Sequence, residues 1–123
     1  MGAWDYGVFD SDNAKDYTSD VVDSYIEEID SLLNDILDES SYRESNEAIL
    51  VLVTFVEVIC QKSGCAPPEL GKVIGWCDNY IEAFDLYGQN SWPNQVDFDT
   101  RKKSIKRCFD SLIKDSKEFW DEI

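Results

Sequence analysis

Ala48-Ile49-Leu50-Val51-Leu52-Val53-Thr54-Phe55-Val56-Glu57-Val58-Ile59-Cys60 is the one long segment of this chain that is apolar on nearly every side. Its reading decides the fold. Ser41 followed by Glu44 has the spacing of a capping box, and Gly64 supplies a C-terminal stop. These signals frame roughly 20 residues, too long for an ordinary strand and suited to a helix of about five to six turns. A buried strand is the competing reading, because Val51 to Ile59 is rich in β-branched residues. The caps and the length favour a helix, expected to be the central buried element. A membrane span needs about 18 or more uninterrupted apolar residues, and Glu57 interrupts this run.

Upstream, Val21, Val22, Tyr25, Ile26, Ile29, Leu32, Leu33, Ile36 and Leu37 recur at helical spacing between Thr18 and Glu39. The spacing predicts an amphipathic helix with Asp20, Asp23, Glu27, Glu28, Asp30, Asp35 and Asp38 on its other face. No base lies between Lys15 and Arg43, so none of these carboxylates has a partner one turn away on the same helix. Downstream, Gly64-Cys65-Ala66-Pro67-Pro68 reads as a turn, with Pro68 suited to the first position of a third helix. Leu70, Val73, Ile74, Cys77, Tyr80, Ile81 and Phe84 mark the stripe of that helix, Trp76 lies close to it, and Gly88 ends it. Tyr87 to Val96 reads as the longest loop, with Trp92 either pinned to the core or presented to a partner; burial is the expectation. A fourth helix starts near Asp97 or Asp99, with Ile105, Cys108, Phe109, Leu112, Ile113, Phe119 and Trp120 as its buried face. The chain therefore reads as all-α, one domain over residues 1–123 with four principal helices around a central one.

Charge narrows the partners. Net charge is −15, from 26 acidic and 11 basic residues. Such a chain repels nucleic acid and anionic membranes and favours encounter with basic proteins. The charge is also uneven: residues 1–62 carry 15 acids and 3 bases, residues 63–123 carry 11 and 8. Solubility does not require that imbalance. Seven bases follow Thr100 (Arg101, Lys102, Lys103, Lys106, Arg107, Lys114 and Lys117), and are expected to pack near the acidic first helix. The N-terminus lacks a basic segment followed by an apolar run, so a cytoplasmic location is expected. Cys60, Cys65, Cys77 and Cys108 are expected as free thiols, three of them inside apolar helical patterns.

Residues 1–13 read as an ordered loop: Trp4 and Phe9 plug into the core, Gly7 permits a tight turn, and Asp10 or Asp12 caps the next helix, with Ala14 in its first turn. Asp10, Asp12 and Asp16 do not make a calcium loop, since Ala14, Lys15 and Val21 stand where ligands and a glycine are needed. The opening resembles an uncharacterised bacterial domain-of-unknown-function family whose chains begin with a Gly-Ala-Trp and Phe-Asp signature. The matching residues are Gly2, Ala3, Trp4, Gly7, Phe9, Asp10, Asp12, Ala14 and Asp16, with departures at Asp5 and Ser11. Glu57-Val58-Ile59, Pro67-Pro68-Glu69-Leu70 and Ser116 to Glu122 resemble the family's middle helix, proline turn and close. The resemblance implies a compact helical domain and no particular activity.

No histidine, phosphate loop or nucleophile elbow is present, and any cysteine nucleophile would lack its histidine base. No catalytic residue, metal site or cofactor is expected. The reading is an acidic protein-binding inhibitor, in its most specific form an immunity protein that masks the basic active-site cleft of a toxic nuclease. Its expected contact residues are Asp20, Asp23, Glu27, Glu28, Asp30 and Asp35. The alternatives are an acidic regulatory or adaptor domain, a domain whose charge serves only solubility, and an enzyme using a metal held by carboxylates.

Overall fold

In a computed structural model, residues 7–121 of the chain are described. They form α1 (Asp12–Asn34), α2 (Glu39–Ser63), α3 (Leu70–Tyr87) and α4 (Gln95–Asp121), with a 3-10 turn (Gly88–Asn90) after α3. The all-α reading holds. Trp4, expected as a core anchor, lies outside the described residues.

The helix starts differ from the sequence reading, each for a local reason. Ser11 caps α1: its hydroxyl accepts the Ala14 N–H at 3.1 Å. Asp10 is not available as the cap because its carboxylate accepts the Gly7 N–H at 2.8 Å, closing a tight turn. A Cβ on Gly7 would meet that carboxylate, so a larger residue there would push the Asp10 side chain off this bond. With Asp12 already helical, the N-terminal loop is shorter than anticipated, and α1 ends at Asn34 rather than near Glu39. Ile36, read as helical, sits in the following turn yet is fully buried. Asp38, not Ser41, caps α2: its Oδ2 accepts both the Ser41 N–H at 3.0 Å and the Ser41 hydroxyl at 3.1 Å. Gly64 ends α2 as expected, at φ +75°, where a side chain would be strained.

Glu69 precedes α3, so Pro67 and Pro68 lie in the turn, where their carbonyls accept the Trp120 indole N–H at 3.1 and 3.3 Å. α4 begins at Gln95, two residues before Asp97, because Asn94 Oδ1 accepts the Val96 and Asp97 N–H groups at 2.9 and 3.2 Å.

Cross-helix contacts set the arrangement. Ser19 meets Cys65 and Tyr25 meets Phe55, so α1 and α2 are antiparallel. Thr54–Cys108, Glu57–Ser111 and Gln61–Asp115 share one sequence offset of 54, so α2 and α4 run side by side in the same direction. α3 is antiparallel to α4, with Tyr80 against Phe109 and Phe84 stacked on Phe98. α1 packs on α2 and α3, leaving α1 and α4 as the diagonal pair. The basic residues of α4 therefore do not pack near the acidic helix, contrary to expectation. Ile29, Ile49, Val53, Val56, Val73, Tyr80, Phe84, Ile105, Phe109 and Leu112 fill the centre. Burying each such side chain favours folding by about 1.5–3 kcal/mol before entropy is counted.

The central helix is not buried on every side. Ile49, Leu52, Val53, Val56 and Cys60 face inward, but Val51, Phe55 and Val58 are about half exposed. Four helices surround one shared core, and α2 is a corner of that bundle with one apolar face uncovered. On α3, Ile74 is exposed where the stripe predicted burial.

Candidate functional site

α1 buries Thr18, Val22, Ile29 and Leu33, at intervals of four, seven and four residues. At about 100° per residue, the opposite ridge carries Asp16, Asp20, Asp23 and Glu27, at intervals of four, three and four. All four are exposed. Among the described residues, none of the four forms an ion pair: the bridges are Arg43–Glu39 at 3.4 Å, Lys72–Asp30 at 2.8 Å and Lys102–Asp85 at 2.8 Å.

The expected contact residues are not equivalent. Asp20, Asp23 and Glu27 share the outer ridge. Glu28 is exposed on the flank one turn beyond Tyr25, on the side of α2. Asp35 is exposed but lies past the end of α1, as its C-cap residue. Asp30 is committed inside the molecule: one oxygen accepts the Trp76 indole N–H at 2.7 Å and the other the Lys72 ammonium at 2.8 Å. The structure thus groups three of the six, Asp20, Asp23 and Glu27, and separates Glu28, Asp30 and Asp35 from them.

A second feature is a cleft between the start of α2, the end of α3 and the start of α4. Glu39, Tyr42, Arg43, Asn46, Tyr80, Tyr87, Trp92 and Arg101 line it. Trp92 is not pinned in the core; it is 36% exposed, with the Arg101 guanidinium 5.5 Å from its ring centroid. Tyr87 donates its hydroxyl to the Leu37 carbonyl, and Tyr80 donates to the Asn46 carbonyl at 3.0 Å. Burial pushes the Tyr42 and Tyr80 phenols up, an effect the Arg101 charge partly offsets. The Tyr42 and Tyr80 phenols are therefore not acids near neutral pH, and Tyr80 serves as a structural donor.

The thiols are similarly quiet. All four cysteines are free. Burial pushes Cys60 up to about 12 and raises Cys77 and Cys108 as well, so each is protonated near neutral pH. Among the described residues, no three Cys, Asp or Glu side chains converge as metal ligands do, and no helix is long and apolar enough to cross a membrane.

The sequence reading missed two features: the uncovered Val51–Phe55–Val58 strip and the Trp92–Arg101 pair. The strip had a visible signal, since those residues sit at i, i+4 and i+7 on α2. The pair had none, because its partners lie nine residues apart across a helix start.

No curated protein and no solved structure matches the chain. Residues 2–123 match the family described as a domain of unknown function (DUF4259), and the chain belongs to that family.

Proposed function

We propose that this domain is a protein-binding inhibitor whose acidic α1 ridge docks onto a basic partner. The most specific form of that reading is an immunity protein covering the phosphate-binding cleft of a nuclease toxin. The observation that carries it is the ridge of Asp16, Asp20, Asp23 and Glu27, exposed and outside every ion pair of the described residues. Carboxylates spaced three and four apart repel one another by a few tenths of a kcal/mol per close pair. A sequence selected for stability alone would interleave bases, as α4 does with Asp110 and Asp115 among its lysines and arginines. An unneutralised ridge on a rigid helix suits rapid capture of a positively charged cleft. The family assignment is silent on activity, so the reading rests on this surface.

The test is protection. Each gene adjacent to the one encoding this chain is expressed in a host cell with and without it, and growth is measured. The proposal predicts that one neighbour is toxic alone and harmless with this chain. If no neighbour is toxic, or a toxic one is unaffected by co-expression, the immunity reading fails.

A further inference from the structure

The cleft between the start of α2, the end of α3 and the start of α4 holds hydrogen-bonding groups that the chain itself does not use. Three phenols line it. Tyr80 and Tyr87 donate to the Asn46 and Leu37 carbonyls. Tyr42 is 7% exposed, and among the described residues its hydroxyl has no hydrogen-bond partner. That hydroxyl is not sealed in the core either: among the described residues, Ser116 alone keeps a sealed polar side-chain atom without a partner. A side chain more than nine-tenths buried thus opens its polar end to the cleft with its donor unspent. Arg101 is the second such group. Its guanidinium lies over the Trp92 ring, 5.5 Å from the centroid, and forms no ion pair among the described residues. Burial pushes the Tyr42 phenol up and the Arg101 charge pulls it back, so the two donors are neighbours.

An opposite charge stands across from Arg101 without closing on it. Thr54–Cys108 and Gln61–Asp115 set an offset of 54 between α2 and α4, and Glu47 and Arg101 have that same offset. The two stand level and line the same cleft, yet no ion pair joins them. Glu39 is held by Arg43 at 3.4 Å. Among the described residues, Glu44, Glu47 and Arg101 are therefore the unpaired charges of the lining. The two glutamates repel a phosphate, and Arg101 repels a simple cation. A carboxylate suits the planar guanidinium fork and the Tyr42 O–H, while an ammonium suits Glu47. The cavity of about 250 Å³ falls below the roughly 300–1,000 Å³ of drug-sized sites, so its ligand is small. The Tyr42 and Tyr87 rings, 5.5 Å apart, give that ligand an aromatic wall.

We propose that this cleft binds a free α-amino acid with an apolar side chain. Its carboxylate sits on Arg101 and Tyr42, its ammonium on Glu47, and its side chain against the Tyr42–Tyr87 wall. The site uses nothing of the α1 ridge, so it stands whether or not that ridge docks a partner.

Heteronuclear NMR of the full chain tests this. Each proteinogenic amino acid is titrated to millimolar concentration, phenylalanine first, while the Trp92 indole and Arg101 side-chain signals are followed. Phenylalanine or another apolar amino acid should shift both signals and saturate. For phenylalanine, phenylpropionate lacks the ammonium and phenethylamine lacks the carboxylate. Each should bind roughly tenfold or more weakly, as should Arg101→Gln, Tyr42→Phe and Glu47→Gln proteins, since each change removes a hydrogen bond to a charged group. Asp23→Asn on the α1 ridge should bind as wild type does. Circular dichroism checks that each variant stays helical. No saturable shift with any amino acid would overturn the proposal. So would phenylpropionate binding as tightly as phenylalanine, or binding at full strength by a folded Arg101→Gln or Tyr42→Phe protein.

Discussion

Asp30 accepts the indole N–H of Trp76 at 2.7 Å, joining α1 to α3 across 46 residues of sequence. Trp76 is 3% exposed, and among the described residues this carboxylate is the acceptor its indole N–H finds. The Lys72 bridge to the same carboxylate is roughly half exposed and adds little, about 0–1 kcal/mol. Asp30→Ala should therefore cost about 1–3 kcal/mol, mostly from the stranded indole, and Asp30→Asn less because an acceptor remains. Urea unfolding followed by circular dichroism measures both. An Asp30→Ala protein as stable as wild type would show that the indole bond contributes nothing net.

The outer ridge predicts the opposite sign. Asp20→Asn, Asp23→Asn and Glu27→Gln each remove a carboxylate that has repulsive neighbours and no partner. Each should leave stability unchanged or raise it by a few tenths of a kcal/mol, with the gain fading as salt is added. Thermal melts at low and high salt check this. Destabilisation by any of the three would mean that the ridge is structurally engaged.

Ser116 on α4 is fully buried, and among the described residues its hydroxyl has no hydrogen-bond partner. An unpaired buried polar group costs about 1–3 kcal/mol. Ser116→Ala should be neutral or stabilising, read as the urea midpoint. A clear loss of stability would reveal a bond or an ordered water at that hydroxyl.

Alkaline pH should weaken the fold. Burial holds the Cys60 thiol up to about 12, against about 9 for the unfolded chain, and raises the Tyr80 phenol. In that window the unfolded chain releases a proton that the folded one keeps. Stability is thus complete below about pH 9 and falls as pH climbs towards 12. Urea midpoints at pH 8 and pH 10.5 should show the drop, and Cys60→Ala should reduce the part of it due to the thiol. A flat profile would contradict the buried, neutral Cys60.

What was legible in the sequence was what local spacing encodes. Val22, Ile29 and Leu33 declared the inner face of α1, and Gly64 declared the end of α2. Helix starts were less legible, because Ser11 and Asp38 each compete with a neighbour that is equally able to cap. Asp10 lost that competition to its own turn with Gly7, a contact visible only in three dimensions. The commitment of Asp30 was hidden too, since Lys72 and Trp76 lie 42 and 46 residues away. The outward face of α2 was written in its apolar surplus: a helix at the corner of a four-helix bundle has one side its own chain does not cover. Which helix stands diagonal to α1 depends on contacts between helices far apart in sequence, and no local pattern encodes that.

The central claim is that the α1 ridge is the recognition surface, and the association rate constant tests it most directly. The partner used is whichever neighbouring gene product the protection assay identifies as toxic alone and harmless with this chain. Stopped-flow mixing would compare wild type with a variant carrying Asp20→Asn, Asp23→Asn, Glu27→Gln and Glu28→Gln, over a range of ionic strength. Electrostatically steered encounters run about 10–1,000-fold faster than neutral ones and slow steeply with salt. The account predicts a fast, salt-sensitive rate for wild type, and at least a tenfold slower, nearly salt-independent rate for a variant that melts no lower. Equal rates and equal salt slopes for the two proteins would contradict it.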